Sequence, residues 1–352
     1  MSEARRAQLG DLALAITRLY HTGEDLGAAL ERLDASDPDP DPEPTPGPVY
    51  ASASPFAVHE GCLDWLDGVP GWFVDTVHVW QVERLDYRDV VGRGHTPIAR
   101  LNNGYGVAGT IPHPDRYQAF ADRCGLVIGQ SPDLHIEVIG NEPQHPNEWP
   151  DGQPITPDMY VDCYRRARAA IHRQPGHHDD QVLLAPVAPW CSLVTYEGNN
   201  RDGFGDWVQY AVDVADLAAA AGGFDGFALH TYTRSHNPAE VTSSAPMGPP
   251  FGDRHSNFRA YLDILNALQA YKGEPVYITE FCPVEALWQN VNNGLLQAAY
   301  AEIARWGRES GWQIGCLALY RGVDRDQWYF GSRANVRVDL QVAMAEWRTA
   351  HA

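Results

Sequence analysis

The sequence has little positive charge. Its 26 Lys and Arg residues stand against 46 Asp and Glu, which gives a formal net charge of −20. Nucleic acids and anionic membrane surfaces are bound through basic surfaces, so we expect neither as a partner. No run approaches the ~18 apolar residues of a membrane-spanning helix. The N-terminal segment has no long apolar stretch with a cleavage site after it, which predicts a cytoplasmic protein without a secretory signal.

Cysteine pairs and metal-ligand clusters are also missing. The six cysteines are scattered without a CxxC motif, and this pattern predicts reduced thiols rather than a disulfide framework. The adjacent His177 and His178 lie in a polar turn with no third ligand at useful spacing, so we interpret them as surface residues. The sequence therefore predicts no metal site and no cofactor.

Composition divides the chain into three regions. Residues 1–33 are predicted to form a helical N-terminal extension, because apolar residues recur there at helical spacing. Residues 34–48 alternate proline with acidic residues, which predicts an extended linker. Residues 49–352 carry a repeated pattern of strand and helix. The apolar residues of the extension are Leu12, Ile16, Leu19, Leu26, Leu30 and Leu33.

The third region predicts a (β/α)₈ TIM barrel. Eight short apolar runs without clean alternation are typical of parallel strands that are buried on both faces. These runs are residues 55–60, 76–81, 97–103, 134–142, 182–189, 226–232, 275–281 and 314–320. Thr156 and Pro157 are predicted to begin one of the intervening helices, and Gly273 and Gly311 to end two others. The alternative is a doubly wound sheet, which would be favoured by a Gly-rich phosphate loop that "HEGCLDWLDG" does not provide.

Two acidic residues follow apolar strands at positions that face each other in such a barrel. Glu142 ends the fourth predicted strand and Glu280 ends the seventh. Active sites of TIM barrels form at the carboxyl ends of the strands. Two carboxylates that converge there suit glycosidic bond cleavage, in which one protonates the leaving oxygen and the other attacks or activates water. Burial and a negative neighbour are expected to raise the pKa of the acid.

The motifs "GNEP", "LHTY" and "YITEF", in this order, resemble those of the retaining clan A glycoside hydrolases. This group contains many cellulases, mannanases and β-galactosidases, and the resemblance covers the whole predicted barrel. It implies that Glu142 is the acid/base and Glu280 the nucleophile of a retaining O-glycosidase. It also favours β-linked substrates and an oligo- or polysaccharide as the binding partner.

The same resemblance implies roles for further strand-end residues. Asn141 would contact the sugar 2-hydroxyl, His230 and Tyr232 would line the site, and Arg100 would lie near the nucleophile. A Trp often ends the eighth strand in this group, whereas this chain has "LALYRGVDRDQW". Tyr320 or Trp328 would therefore take its place.

Tryptophans after strand ends are candidates for stacking on sugar rings. Trp190, Trp288 and Trp328 are the substrate-binding candidates of this type, and the strand-end residues His59 and Asn102 complete the predicted site. The Pro- and Gly-rich segment 233–257 is too irregular for a helix and predicts a rim or lid.

Structural roles without catalysis remain open for the two carboxylates. Glu142 could be a structural carboxylate that is paired with Arg100, and Glu280 could cap the next helix. At the level of the whole chain, a non-catalytic carbohydrate-binding barrel within a larger assembly is the alternative function. An inverting hydrolase would use the same residues at a larger carboxylate separation.

Because a carboxylate pair supplies both acid and nucleophile, we expect hydrolysis to need no metal. Activity on an aryl glycoside should be unchanged after dialysis against EDTA. Activity that is lost on dialysis and regained with a divalent ion would contradict this expectation.

Residues 1–33 are predicted to mediate self-association or to dock on another protein. Two short amphipathic helices cannot bury their apolar faces alone and are marginal in water, so they need a partner surface. A disordered tail is the alternative, because Gly23 and Gly27 weaken the helices. Light scattering should give a larger assembly for the full chain than for a chain that starts at Val49. Equal association states would reject self-association.

Overall fold

The strands form a closed parallel barrel in the computed structural model, which describes residues 54–66 and 68–351. The predicted extension and linker, and the first residues of the predicted barrel region, lie outside the described residues. The strands are β1 (Phe56–His59), β2 (Trp72–His78), β3 (Thr96–Asn102), β4 (Ile136–Ile139), β5 (Gln181–Leu183), β6 (Phe227–Thr233), β7 (Val276–Pro283) and β8 (Ile314–Leu319). They pair in the order β5-β4-β3-β2-β1-β8-β7-β6. A parallel bridge between Leu184 and Phe227 joins the two ends of this order, and the predicted (β/α)₈ barrel is confirmed.

Helices pack around the strands. In the described part of the chain the α-helices are α1 (Arg88–Gly92), α2 (Tyr117–Ile128), α3 (Pro157–His172), α4 (Trp207–Ala220), α5 (Ala260–Ala267), α6 (Leu295–Ser310) and α7 (Ala334–His351). Short 3₁₀ turns lie at Leu63–Leu66, Val79–Gln81, Gly106–Ala108, Pro114–Arg116, Pro146–Glu148, Pro150–Gly152, Pro238–Glu240 and Gln269–Tyr271. The first two strand–helix units have only 3₁₀ turns and the five-residue α1.

Four predicted strands differ from the observed ones by two residues or more at one end. The second was predicted at 76–81 but is β2, because its pairing with β3 begins at Trp72 and the chain turns into a 3₁₀ helix after His78. The fourth was predicted at 134–142 but is β4, which ends at Ile139 because the chain turns at Gly140, where φ is 81°. The fifth was predicted at 182–189 but ends at Leu183, since Pro186 and Pro189 have no N–H to donate to a ladder. The seventh continues past its predicted end to Pro283, so Cys282 lies within β7 and is buried.

Helix ends agree with the sequence at two of the three places singled out. Helix α3 begins at Pro157 after Thr156, although the Thr156 side chain makes no capping hydrogen bond. Helix α6 ends at Gly311, which takes the left-handed conformation with φ 74° that glycine adopts without strain. Helix α5 ends earlier than predicted, at Ala267, and a 3₁₀ turn completes the segment before Gly273.

Alternate residues of each strand face the barrel interior or the helices. The interior contains the buried cluster of Ala57, Trp72, Val74, Ile98, Ile136, Val138, Leu183, Ala228, Tyr277, Cys316 and Ala318. Because side chains two positions apart share a face, Arg100 follows Ile98 and His230 follows Ala228 toward the mouth of the barrel. Polar side chains that share the interior face of a strand therefore lie at its carboxyl end, at the barrel mouth.

The structure also bears on the predictions for the cysteines and for membrane-spanning helices. All six cysteines are free thiols, as predicted. Among the described residues, no helix combines the length and the apolar character that crossing a membrane requires.

Candidate active site

The carboxylates of Glu142 and Glu280 meet in one cleft at the mouth of the barrel. An oxygen of Glu142 and an oxygen of Glu280 lie within 4.8 Å of each other and of a ring nitrogen of His230. Both residues line a cleft of about 380 Å³. Gly140 and Glu142 have positive φ values of 81° and 35°, so the chain turns sharply after β4 and carries Glu142 over the barrel axis.

The Glu280 carboxylate is held by two donors. The guanidinium of Arg100 forms an ion pair with Oε1, and the hydroxyl of Tyr232 donates to Oε2 at 2.8 Å. The side chains of Arg100 and Glu280 are 3% and 7% exposed. Since arginine stays charged in proteins, this buried pair fixes the orientation of the carboxylate.

The Glu142 carboxylate has a histidine as its main partner. His230 Nδ1 lies 2.7 Å from Glu142 Oε1, and the Tyr232 hydroxyl is 3.4 Å from the same oxygen. Burial alone would raise the pKa of Glu142, but the hydrogen bond and the charge of His230 outweigh it and lower the pKa below its ordinary value. The expected upward shift of the acid is therefore wrong for this structure, because the sequence did not show that His230 contacts Glu142.

Asn141 connects the Glu280 ion pair to a third carboxyl group, that of Glu148. Its Oδ1 accepts a hydrogen bond from Arg100 at 2.7 Å, and its Nδ2 donates to Glu148 Oε1 at 2.8 Å. Glu148 is 4% exposed and lines the cleft. Its second oxygen has no hydrogen-bond partner among the described residues. Burial raises the pKa of Glu148 to about 8.

Sequence reasoning missed Glu148 and Tyr105, which both line the cleft. Glu148 ends a 3₁₀ turn six residues after Glu142, and Tyr105 lies in the loop after β3 and is 60% exposed. Neither residue lies at the end of a strand, where the site residues of a TIM barrel are expected. Only the position of Glu148 in the segment "GNEPQHPNEW" could have indicated it.

Four predicted aromatic residues line the cleft: Trp190, Tyr232, Tyr320 and Trp328. Trp288 does not; it is 3% exposed, packs against Phe281 and donates from Nε1 to the Tyr320 carbonyl at 2.6 Å. The apolar surroundings that bury Trp288 explain this difference from the prediction, and its contact supports Tyr320 from behind.

His59 and Asn102 lie in the layer beneath the cleft. His59 Nε2 is 3.9 Å from Glu280 Oε1, and neither ring nitrogen has a hydrogen-bond partner among the described residues. Burial, followed by the charge of Arg100, lowers the pKa of His59 well below its ordinary value, so the ring is neutral. Asn102 is 3% exposed and shares the strand face of Arg100.

The rim of the cleft is built by loops that follow β5, β6 and β7. The Arg234 guanidinium lies 3.8 Å from the ring centroid of Trp190 and forms an ion pair with Glu285. The segment 233–257, predicted as a rim or lid, contains Arg234 and contacts Trp190. Arg234 Nε donates to the Ser256 carbonyl at 3.1 Å, and Trp190 Nε1 donates to the His255 carbonyl at 3.0 Å.

The prediction that His177 lies on the surface is wrong. His177 is 3% exposed and its Nδ1 lies 2.6 Å from Asp180 Oδ2, because the turn folds it back against the barrel. His178 is 74% exposed, as expected. His135 supplies the third side chain of this cluster, from a position 42 residues before His177 that spacing within the turn could not reveal.

Comparison with known proteins shows the fold and not the sequence family. No protein-family model and no curated protein matches the sequence. The catalytic domain of a GH26 endo-β-1,4-mannanase from Bacillus sp. JAMB-750 is similar with a TM-score of 0.52 and 12% identity, over 83% of this chain and 86% of that chain. CelM2, a bifunctional glucanase-xylanase from a metagenome library, has a TM-score of 0.52 and 12% identity, over 78% and 74%.

A glucosidase from Croceicoccus marinus is similar with a TM-score of 0.50 and 12% identity, over 76% of this chain and 60% of that chain. This chain therefore spans less than two thirds of the length of that glucosidase. These similarities show the fold of the chain, a TIM barrel, which agrees with the fold that the motif resemblance implies.

Replacement of Glu148 by Gln should stabilise the protein in a pH-dependent way. In the unfolded chain a Glu titrates near ~4.3, whereas burial raises the pKa of Glu148 to about 8 in the folded state. The unfolded state ionises first, so wild-type stability falls as pH rises between these values and the loss is complete above the folded pKa. The excess stability of Glu148→Gln should grow across this window to on the order of 5 kcal/mol, measured by urea unfolding.

Glu346→Gln is the matched control, because Glu346 is exposed on α7. It should leave the pH dependence of wild type unchanged. A Glu148→Gln effect that does not vary with pH would show that the Glu148 carboxyl is not shifted.

Proposed function

We propose that the chain is a retaining O-glycosidase that hydrolyses β-linked bonds of an oligo- or polysaccharide. Glu280 is the nucleophile and Glu142 is the acid/base. The approach of their oxygens to within 4.8 Å across one cleft carries this proposal. Retaining enzymes hold the two carboxyl groups ~5–5.5 Å apart, whereas inverting enzymes need ~6.5–9.5 Å to admit a water between them.

In the first step Glu280 attacks the anomeric carbon while Glu142 protonates the leaving oxygen. Arg100 and Tyr232 orient Glu280 through its two oxygens. The proton for the leaving group comes from the hydrogen bond between His230 Nδ1 and Glu142 Oε1, which is 2.7 Å long. That proton passes through the Glu142 carboxyl to the leaving oxygen, which leaves Glu142 ionised.

In the second step Glu142, now ionised, takes a proton from water, and the water oxygen attacks the glycosyl–Glu280 ester. Two displacements at the same carbon retain its configuration. Glu280 carries no charge while it is esterified. Hydrolysis of the ester regenerates its carboxylate and restores the ion pair with Arg100. The proton that Glu142 takes from water restores its hydrogen bond with His230, so the cycle consumes only water besides the glycoside.

The substrate contacts follow from the cleft walls. Trp190, Tyr320 and Trp328 offer aromatic faces to sugar rings. Asn141 lines the cleft beside Glu142, and the resemblance assigns it to the sugar 2-hydroxyl. Its amide orientation is fixed by Arg100 and Glu148, which supports a positioned contact of this kind. His59 and Asn102 act from beneath the lining residues.

Two variants test the assignment of roles on a panel of aryl β-glycosides. Glu280→Ala should lose ~10⁴-fold or more in kcat, since the covalent step is removed. Glu142→Ala should lose turnover that azide restores on a substrate with an activated leaving group, because azide attacks the glycosyl ester without a base. The product of rescue should be a glycosyl azide of retained configuration, identified by NMR.

Glu346→Gln serves as the control for these assays and should have wild-type kcat and KM. Wild-type turnover in Glu280→Ala would reject the nucleophile. A wild-type chain that binds oligosaccharides without hydrolysing any glycoside would instead identify a binding barrel. A glycosyl azide of inverted configuration would contradict the double displacement.

A further inference from the structure

Three potential ligand side chains converge where β4 and β5 begin, at the end of the barrel opposite the cleft. His135 directly precedes β4, and Asp180 directly precedes β5. The starts of these two strands are joined by a hydrogen bond from the Gln181 N–H to the His135 carbonyl at 2.9 Å. His177 lies in the turn before β5, where the Asp180 N–H donates to its carbonyl at 3.4 Å. Strand pairing and this turn therefore fix the relative positions of all three side chains.

The donor atoms are close enough to share one ion. Asp180 Oδ1 is 2.8 Å from His135 Nδ1, and Asp180 Oδ2 is 2.6 Å from His177 Nδ1. One ligand atom from each of the three residues lies within 4.8 Å of the others. The His177 and Asp180 side chains are 3% and 2% exposed, whereas the His135 side chain is 24% exposed. The cluster is thus buried with one accessible side, through which an ion can pass.

A second carboxyl group in the same corner points to a cation independently. Glu137 is on β4, two positions after His135, and is fully buried. Neither of its carboxyl oxygens has a hydrogen-bond partner among the described residues. A buried carboxyl whose oxygens accept no hydrogen bond is costly. A divalent cation bound by Asp180, which lies beside Glu137, would offset that cost.

We propose that His135, His177 and Asp180 bind one divalent ion of the zinc type where β4 and β5 begin. Two imidazoles and one carboxylate suit Zn²⁺, Co²⁺ and related ions, whereas Mg²⁺ and Ca²⁺ prefer sites built of oxygen alone. Nδ1 of each histidine ring is the ligand atom. Each neutral ring then carries its proton on Nε2. Water completes the coordination. Such an ion would stabilise the junction of β4 and β5 and would take no part in glycoside chemistry.

Cobalt(II) is the probe for this site, because its visible ligand-field bands report nitrogen ligands and tetrahedral geometry. The tag-free full chain is depleted of metal by dialysis against a chelator and titrated with Co²⁺. One Co²⁺ per chain should give saturable bands, and Zn²⁺ should displace it. Saturating Zn²⁺ should raise Tm by several degrees, because an ion that binds only the folded state stabilises it.

Ligand variants locate the ion. His177→Ala should abolish the bands and weaken Co²⁺ binding by ~100-fold or more, as expected for a lost metal ligand. The neighbouring exposed His178→Ala is the matched control and should bind as wild type does. Circular dichroism checks the fold, and His135→Gln, at the most exposed ligand, provides a second test should His177→Ala fail to fold.

Two results would overturn the proposal. Absence of saturable bands and of a Tm shift in wild type would leave the three side chains as a hydrogen-bonded network only. Bands that persist in folded His177→Ala and His135→Gln would place the ion elsewhere, for instance between Glu142, His230 and Glu280, whose ligand atoms also lie within 4.8 Å of one another.

Discussion

The guanidinium of Arg100 is the interaction on which the geometry of the cleft depends. It forms the ion pair with Glu280 on β7, donates to Asn141 after β4 and donates to Thr76 on β2 at 2.8 Å. The Arg100 side chain, which β3 carries, therefore connects the neighbouring β2, the chain after β4, and β7 on the opposite side of the barrel mouth. Because the charge is buried, removal of either partner of the pair leaves the other uncompensated, which typically costs ~3–5 kcal/mol.

The three carboxyl groups of the cleft are distinguished by their donors. Glu280 accepts hydrogen bonds from the Arg100 guanidinium and the Tyr232 hydroxyl. Glu142 is paired with the His230 ring. Among the described residues, the Glu148 carboxyl accepts only one hydrogen bond, from the Asn141 amide. The pKa of Glu142 is consequently lowered, against the effect of burial, while burial raises that of Glu148 to about 8. Environments that separate the pKa values of neighbouring acids are how one site keeps acids and bases at a single pH.

The barrel and the two central carboxylates could be predicted from sequence because both depend on local patterns. Buried parallel strands are recognisable as apolar runs, and a Glu that ends such a run must lie at the mouth. The prediction failed where tertiary pairing decides the outcome. The start of β2 at Trp72 is set by pairing with β3, and the burial of Trp288 is set by packing against Phe281.

Residues in loops were harder to predict than residues on strands. Glu148 and Tyr105 reach the cleft through irregular chain, for which no periodic signal exists. His177 was judged by its polar neighbours in sequence, yet its partner His135 comes from the start of another strand. Contacts between the starts of separate strands form only once the barrel is closed, so a search for ligands within one turn could not find them.

The rim behaves as a single unit because Arg234 contacts every loop that builds it. Its guanidinium covers the Trp190 ring, pairs with Glu285 and donates to the backbone of the segment 233–257. A graft of the loop after β5 alone would leave Arg234 without Trp190, and a graft of the loop after β7 alone would leave it without Glu285. A change of specificity by grafting would therefore have to move these two loops together with the loop that carries Arg234.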